Sequence, residues 1–487
     1  MPRNNWKKET TILTFGDENM AVFSVVKLSE LDGVKLLAPE FYHPAKILSK
    51  RYLEKVGSKR IKDCFYNIRE IFDPKKESLS QDGVVFDLSD VTSYFLYGGK
   101  NVTSSEEVGS AKKIFRKNDV LISRLRPYLK EVSFIGFNGK LKLGSTEFIV
   151  LRQKNKNYYP EVLFAFLISR DVQNILAWSI TGTEHPRFNE DYFLKLPFPD
   201  FSEEVQKKIR TIVQSAWKIF LNSLELYSQA ENLLLEELGL KDFNPKYEKT
   251  YTANLSDALS AHRIDAEYFQ PAYEEVIEKL KGKNIELKSL RKFILRIQKG
   301  IEPGGEKYQN VGKPFIRVSN LSIYGFIDRD QKYLSEEIYQ DLKENYEPKQ
   351  GDVLLTKDAT PGIAYVVKEE VEGIISSGIV KLQVNDREIN KEYLALCINS
   401  FIGKMQAERD CVGSIIFHWK PEQIKQIKIP LLPLSTQQKI VSLIQKSHEA
   451  RKKAKELLNV AKKTVEIAIK KNEEEALDYI SKSIKKS

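Results

Sequence analysis

Two stretches of the chain carry apolar or small residues at alternating steps of four and three. The first runs Val205, Ile209, Ile212, Ala216, Ile219, Ser223, Leu226, Ala230 and Leu233. The second runs Ile440, Leu443, Ser447, Ala450, Ala454, Leu457, Ala461 and Thr464. This spacing predicts the seam of a coiled coil. The two series stay in phase under one shift of about 231 residues, so they read as copies. Each predicts a helix of about 35 residues, or about 50 Å at the α-helical rise. Small residues in the second seam allow close approach of a partner helix.

The same shift relates the punctuation ahead of each helix. PDFSEEVQKKI (199–209) and PLSTQQKI (433–440) both place prolines outside the helix and a hydroxyl residue at its start. Ser202 is the expected cap of the first helix. Ser435 or Thr436 is expected to cap the second, with Gln438 completing a capping box. Outside the helices the texture changes to short β-rich runs broken by Gly, Pro, Asn and Asp, as in 119–137, 313–330 and 351–367, with short helices expected at 160–178 and 391–408. Further blocks answer one another in order: 28–45 with 255–272, NDVLIS (118–123) with GDVLLT (351–356), STEFIVL (145–151) with SSGIVKL (376–382), and LKLP (194–197) with IKIP (427–430).

The predicted fold class is α+β: two similar mixed α/β modules separated by two long helices that pair as a coiled coil, in an internal duplication that is pseudo-twofold if the helices run antiparallel. Expected boundaries are 1–200 for the first module, 201–240 for the first helix, 241–430 for the second module with its preceding linker, and 431–487 for the second helix. A pseudo-twofold rod carrying two similar surfaces suits a partner that repeats along an axis, such as duplex DNA.

Composition narrows the class. The chain has 487 residues, with 41% hydrophobic and 30% charged residues. Lys and Arg number 77 against 67 Asp and Glu, a net charge of +10. That balance favours a polyanionic partner. Three cysteines (Cys64, Cys397 and Cys411) make neither a disulfide framework nor a zinc site, and they fit a reducing, cytoplasmic setting. No metal site and no membrane span are expected.

The candidate chemistry lies in the loops. Arg124, Arg126, Tyr128 and Lys130 follow one strand, and Lys357 with Thr360 follows its counterpart. Arg187 lies in GTEHPRF, His418 lies opposite it in GSIIFHW, and Arg317 and Asn320 lie in FIRVSN. These side chains suit phosphates and base edges, with Asn suited to adenine. If the helices touch DNA or a partner, Lys446, Arg451 and Lys455 are the candidates, since they lie off the apolar seam. No catalytic residue is assigned: phosphate-loop, dinucleotide, serine-hydrolase and zinc-protease patterns are all missing, as is the pocket motif of an adenine methyltransferase.

The motifs PLSTQQKI (433–440), DVLISRLRPYL (119–129), LGSTEFIVLR (143–152), FIRVSNLS (315–322), GDVLLT (351–356) and RIDAEYFQP (263–271) together resemble the specificity subunits of type I restriction–modification systems. The first junction departs from that pattern at Glu203 and Glu204. The resemblance implies two target recognition domains, each reading half of a bipartite gapped DNA site, with the helices paired as an antiparallel coiled coil that fixes the gap. It also implies two modification subunits that use S-adenosylmethionine to methylate adenine. Restriction subunits driven by ATP and Mg would complete the assembly, with no cofactor on this chain. Two other readings stay open on the residues alone: a self-sufficient DNA methyltransferase or nuclease with duplicated recognition domains, and a coiled-coil scaffold.

Overall fold

The computed structural model describes residues 24–26, 31, 38–385, 387–413 and 417–484. Most of the repeat block's leading half, at 28–37, and residues 414–416 therefore lie outside the described residues. The chain divides into two compact units, Met1–Phe220 with Lys452–Ser487, and Leu221–Arg451.

In the first unit, four short apolar strands form an antiparallel sheet: β1 (Phe65–Ile68), β2 (Val120–Ser123), β3 (Val132–Phe134) and β4 (Phe148–Gln153), in the order β3-β2-β4-β1. Strand β2 is buried on both faces because α1 (Pro160–Leu167) covers the sheet. Helix α2 (Arg170–Ala177) follows α1 directly. A second sheet of five strands contains one parallel pair, Gly83–Phe86 with Leu141–Gly144.

The second unit repeats this plan. Strands β5 (Ile294–Lys299), β6 (Val353–Thr356), β7 (Ala364–Val366) and β8 (Ile379–Val384) form an antiparallel sheet in the order β5-β8-β6-β7. Each strand occupies the position of its counterpart in the first unit. The companion sheet has three strands, again with one parallel pair, Lys313–Ile316 with Ile374–Ile375. The first unit's extra strands, Ile71–Phe72 and Lys112–Phe115, are insertions at the edge of a shared plan.

The long helices are α3 (Glu203–Glu237) and α6 (Leu434–Lys470); two short ones, α4 (Lys391–Asn399) and α5 (Phe401–Asp410), lie between them. Within the second unit, Ser447 Oγ donates to the Ser223 carbonyl at 2.6 Å. In the same unit Tyr227, Ala230 and Leu234 share a core with Ile440, Val441 and Ile444. One series ascends while the other descends, so the helices run antiparallel. In the first unit the Ser202 backbone N–H, at the start of α3, donates to the Glu473 carboxylate, just beyond the end of α6, at 3.0 Å.

A sevenfold repeat is visible in burial. Ile209, Ala216, Ser223 and Ala230 on α3, and Ile440, Ser447, Ala454 and Ala461 on α6, are all 0% exposed. The other buried column on α3 is Val213, Phe220, Tyr227 and Leu234, with Ile212 also buried. Ile219, Leu226, Leu443, Ala450 and Leu457 are half-buried, one position off that column or its α6 equivalent. The reason is that each helix packs on its own module as well as on its partner, so the apolar face is wider than a coiled-coil seam.

The repeated punctuation also resolves. Ser202 Oγ accepts from the Val205 N–H at 3.4 Å, as a cap should. The second helix instead begins at Leu434, and the Pro433 carbonyl accepts from Thr436 and Gln437. The glutamine that matters is Gln437 rather than Gln438. Its buried amide reaches back to the Leu432 carbonyl at 2.8 Å, as Gln206 does to Phe201 at 2.9 Å.

Each module grips its helix with an aromatic hairpin. In the first unit, Val91–Thr92 pairs with Phe95–Leu96, and Phe95 stacks on Phe220 at 3.9 Å. In the second, Leu321–Ser322 pairs with Gly325–Phe326, and the Arg451 guanidinium lies 3.5 Å over the Tyr324 ring. The expectation that Arg451 faces outward is corrected: the hairpin beside it draws its planar head onto an aromatic face. Lys446 and Lys455 are exposed.

Candidate nucleic-acid interface

The predicted loop residues of the first unit converge where β2 ends. The Arg124 N–H donates to the Glu147 carbonyl at 3.1 Å, and the Arg124 carbonyl accepts from Phe188 at 3.2 Å. The Arg126 N–H donates to the Pro186 carbonyl at 2.7 Å. Arg126 has a left-handed φ of 46°, which turns the chain sharply out of the strand. Glu147, at the start of β4, then gathers two cations: Arg124 Nε at 2.9 Å and Arg187 Nη2 at 2.7 Å. Hydrogen bonds from Arg187, then Arg124, hold the Glu147 carboxyl below the usual carboxylate range. Arg124 uses Nε for this contact, so its terminal nitrogens are the part left for an outside acceptor.

Around this knot, Arg126 Nη2 reaches the Glu184 carbonyl at 3.2 Å, and Tyr128 is exposed. Lys130 closes the Pro127–Leu129 turn with φ 57°. Lys113 is buried nearby, and its ammonium pKa is lowered by that burial.

The second unit ties the same knot with other side chains. The Lys357 N–H donates to the Gly378 carbonyl at 2.8 Å, its carbonyl accepts from Trp419 at 2.7 Å, and Ala359 donates to Phe417 at 2.9 Å. Ala359 is left-handed at φ 59°, matching Arg126. Lys357 and His418 now share Asp358, with His418 Nδ1 2.8 Å from its carboxylate. Thr360 is exposed, and its N–H donates to the Asp358 carbonyl at 2.7 Å. The acid has moved from the start of one strand to the end of that strand's sheet neighbour, while the two basic positions stay.

Two predicted readers stand elsewhere. Arg317 is held by Asp330, which also takes Lys332. Asn320 is 1% exposed. Its amide donates to the Ile327 and Arg329 carbonyls, and its oxygen accepts from the Arg317 N–H. Asp90 makes the same turn in the first unit by accepting from the Asp87 N–H. Asn320 is thus a turn-forming residue rather than a base reader, because both ends of its amide are spent on backbone. Lys357 is also more enclosed than a loop lysine, at 7% exposed.

Sequence reasoning missed Glu147 and Asp358, the acids that gather the basic side chains. Glu147 lay inside the STEFIVL block and Asp358 next to Lys357, but an acid in a basic loop looks like solvated charge until its partners are placed. Among the described residues, no group of three or more His, Cys, Asp or Glu is arranged to hold a metal ion. Among them, too, no helix is long and apolar enough to cross a membrane.

Comparison with known proteins bears on this arrangement. Residues 283–474 match the family model for the type I restriction modification DNA specificity domain. The chain is 31% identical over 182 residues to the type I restriction enzyme HindI specificity subunit of Haemophilus influenzae, covering 35% of this chain and 38% of that one. It is 26% identical over 134 residues to a putative type I restriction enzyme specificity subunit, S.HindORF215P, of the same organism, covering 27% and 32%. The alignments thus span about a third of the length of these relatives. The crystal structure of the HsdS subunit from Thermoanaerobacter tengcongensis overlaps 85% of this chain and 96% of its own at 18% identity, with a TM-score of 0.30. So low a score says nothing about arrangement, and the fold rests on the sheets and helices themselves. The matched region holds the second module and its helix, and the first unit repeats the strand order of that module's four-stranded sheet: residues 283–474 of this chain are similar to the type I restriction modification DNA specificity domain.

Proposed function

We propose that this chain is the sequence-specific DNA-binding subunit of a type I restriction–modification complex. Each module reads one half of a bipartite, gapped site, and the paired helices set the gap and dock modification subunits. The observation that supports this most is the duplicated knot: the same backbone frame at Arg124–Arg126 and at Lys357–Ala359, carrying different side chains. One frame with two sets of donors suits two different half-sites. Lys and Arg on the modules hold phosphates and set the register, while the knots meet base edges. Methyl transfer from S-adenosylmethionine falls to the modification subunits, and ATP- and Mg-dependent steps fall to restriction subunits. This chain supplies no reacting group.

The test is methylation of genomic DNA by this chain together with its modification subunits, mapped at single-base resolution, with each protein alone as a control. Adenine methylation at one gapped, asymmetric motif, only when both are present, is the expected result. Methylation by this chain alone overturns the non-catalytic assignment. Sequence-independent methylation by the pair overturns the specificity assignment.

A further inference from the structure

The leader of the second module, RIDAEYFQP (263–271), makes contacts that no role so far explains. Arg263 Nη1 donates to the Asp410 carbonyl at 2.9 Å, and Nη2 donates to the Cys411 carbonyl at 3.4 Å. Those two carbonyls are the end of α5, where the chain leaves for the recognition knot. The Arg263 side chain is only 13% exposed, and its guanidinium is braced by Asp265 and lies 4.4 Å from the Tyr268 ring centre. Arg409, the next-to-last residue of α5, lies 4.6 Å from the same ring. Gln423 donates to the Asp410 carbonyl as well, at 2.8 Å.

From Cys411 the path to the knot is short. Val412 and His418 exchange both backbone hydrogen bonds, at 3.1 and 2.8 Å, and His418 meets Asp358 beside Lys357. The first unit has the same layout with other chemistry. His43, in its leader, stacks on Trp178 at 3.8 Å with the rings 3° from parallel. Trp178 closes α2. Beyond it, Thr181 pairs with Arg187 just as Val412 pairs with His418. In both modules a leader segment grips the helix end from which the second strand of the knot departs.

We infer that Arg263 is a positioning residue for DNA discrimination by the second module. It fixes where Cys411 and Val412 lie and so, through the Val412–His418 pair, where His418 and Asp358 meet the DNA. A donor fork that holds two consecutive carbonyls fixes direction as well as place, which a lysine does not reproduce. This inference rests on the specificity-subunit assignment above.

The experiment uses the full chain assembled with its modification subunits. Methylation rates are measured on the cognate site and on substrates with single base changes in either half. His418→Ala first identifies the half read by the second module. Arg263→Met is expected to lower discrimination in that half by about tenfold or more. Discrimination in the other half stays at its wild-type value, and Arg263→Lys recovers only part of the loss. Asp265→Asn leaves the guanidinium in place but unbraced, and is expected to give a smaller loss in the same half; it serves if Arg263→Met does not fold. Unchanged discrimination in both halves, equal loss in both halves, or loss in the half that His418→Ala leaves alone overturns the inference. A wild-type complex that discriminates in neither half would instead overturn the specificity assignment, a separate and recognisable result.

Discussion

The Arg451 guanidinium lies 3.5 Å over the Tyr324 ring, at the helix position where the first copy stacks Phe220 on Phe95 at 3.9 Å. Two different pairs thus solve one problem, the seating of a hairpin on a helix. Tyr324 also meets Tyr227 edge-on at 5.1 Å. Tyr324→Ala removes all of these contacts at a half-buried site, and a loss of about 2–3 kcal/mol is expected. Urea unfolding of the wild type and variant measures it; a difference under about 0.5 kcal/mol would show that the hairpin is not seated this way.

His448 sits beside Tyr324 and Tyr365. Burial first, then the charges of Lys368 and Arg451, push its pKa down to about 3. The folded ring therefore stays neutral where an unfolded one takes up a proton. Stability from this residue is fully present above about pH 6.5 and falls as the pH drops toward 3, by up to about 1.4 kcal/mol per pH unit. His448→Gln is expected to flatten that part of the stability–pH curve between pH 6 and 4. An unchanged slope would place the ring in contact with water.

Glu147 gathers Arg124 and Arg187, and its depressed pKa means the arrangement holds above the unfolded carboxylate value and loosens as the pH falls through the folded one. Glu147→Gln keeps the shape but loses the charge. The expected outcome is weaker discrimination in the first module's half-site only, by about 1–3 kcal/mol if a bidentate base contact is lost. Competition binding or methylation assays with half-site variants measure it. An equal loss in both half-sites would mean that Glu147 supports the fold rather than the reading surface.

Ala216 and Ala454 in one unit, and Ser223 and Ser447 in the other, are small residues at fully buried positions on the long helices. Ala454→Leu is expected to cost about 1–3 kcal/mol through overpacking. Ser447→Ala, which removes one hydroxyl bonded to a carbonyl, is expected to cost about 1 kcal/mol. Thermal unfolding of both variants gives the ranking. Equal losses would argue against close contact at position 454.

Periodicity made the duplication, the two helices and their pairing legible, because a heptad survives in sequence wherever two helices meet; their antiparallel direction came from the family resemblance. The flank was harder to read. Ile219 and Leu226 fit the spacing, yet Phe220 and Tyr227 are the buried pair, since module contacts widen the apolar face. Basic loop residues were visible as a cluster, and the knots bring Arg124 with Arg187 and Lys357 with His418. Asn320 could not be sorted from them by residue type, because an Asn that spends its amide on its own turn looks the same in sequence as one offered to adenine.

The three main-chain bonds that tie each knot are indifferent to which side chains stand there. Arg in one copy is Lys in the other, and Arg187 is matched by His418. The acid can migrate from Glu147 to Asp358 without unmaking a single bond of the frame. A site built this way can change its vocabulary by drift, one substitution at a time, while folding is held constant. The two halves of this chain are a record of that freedom, with one grammar and two wordings.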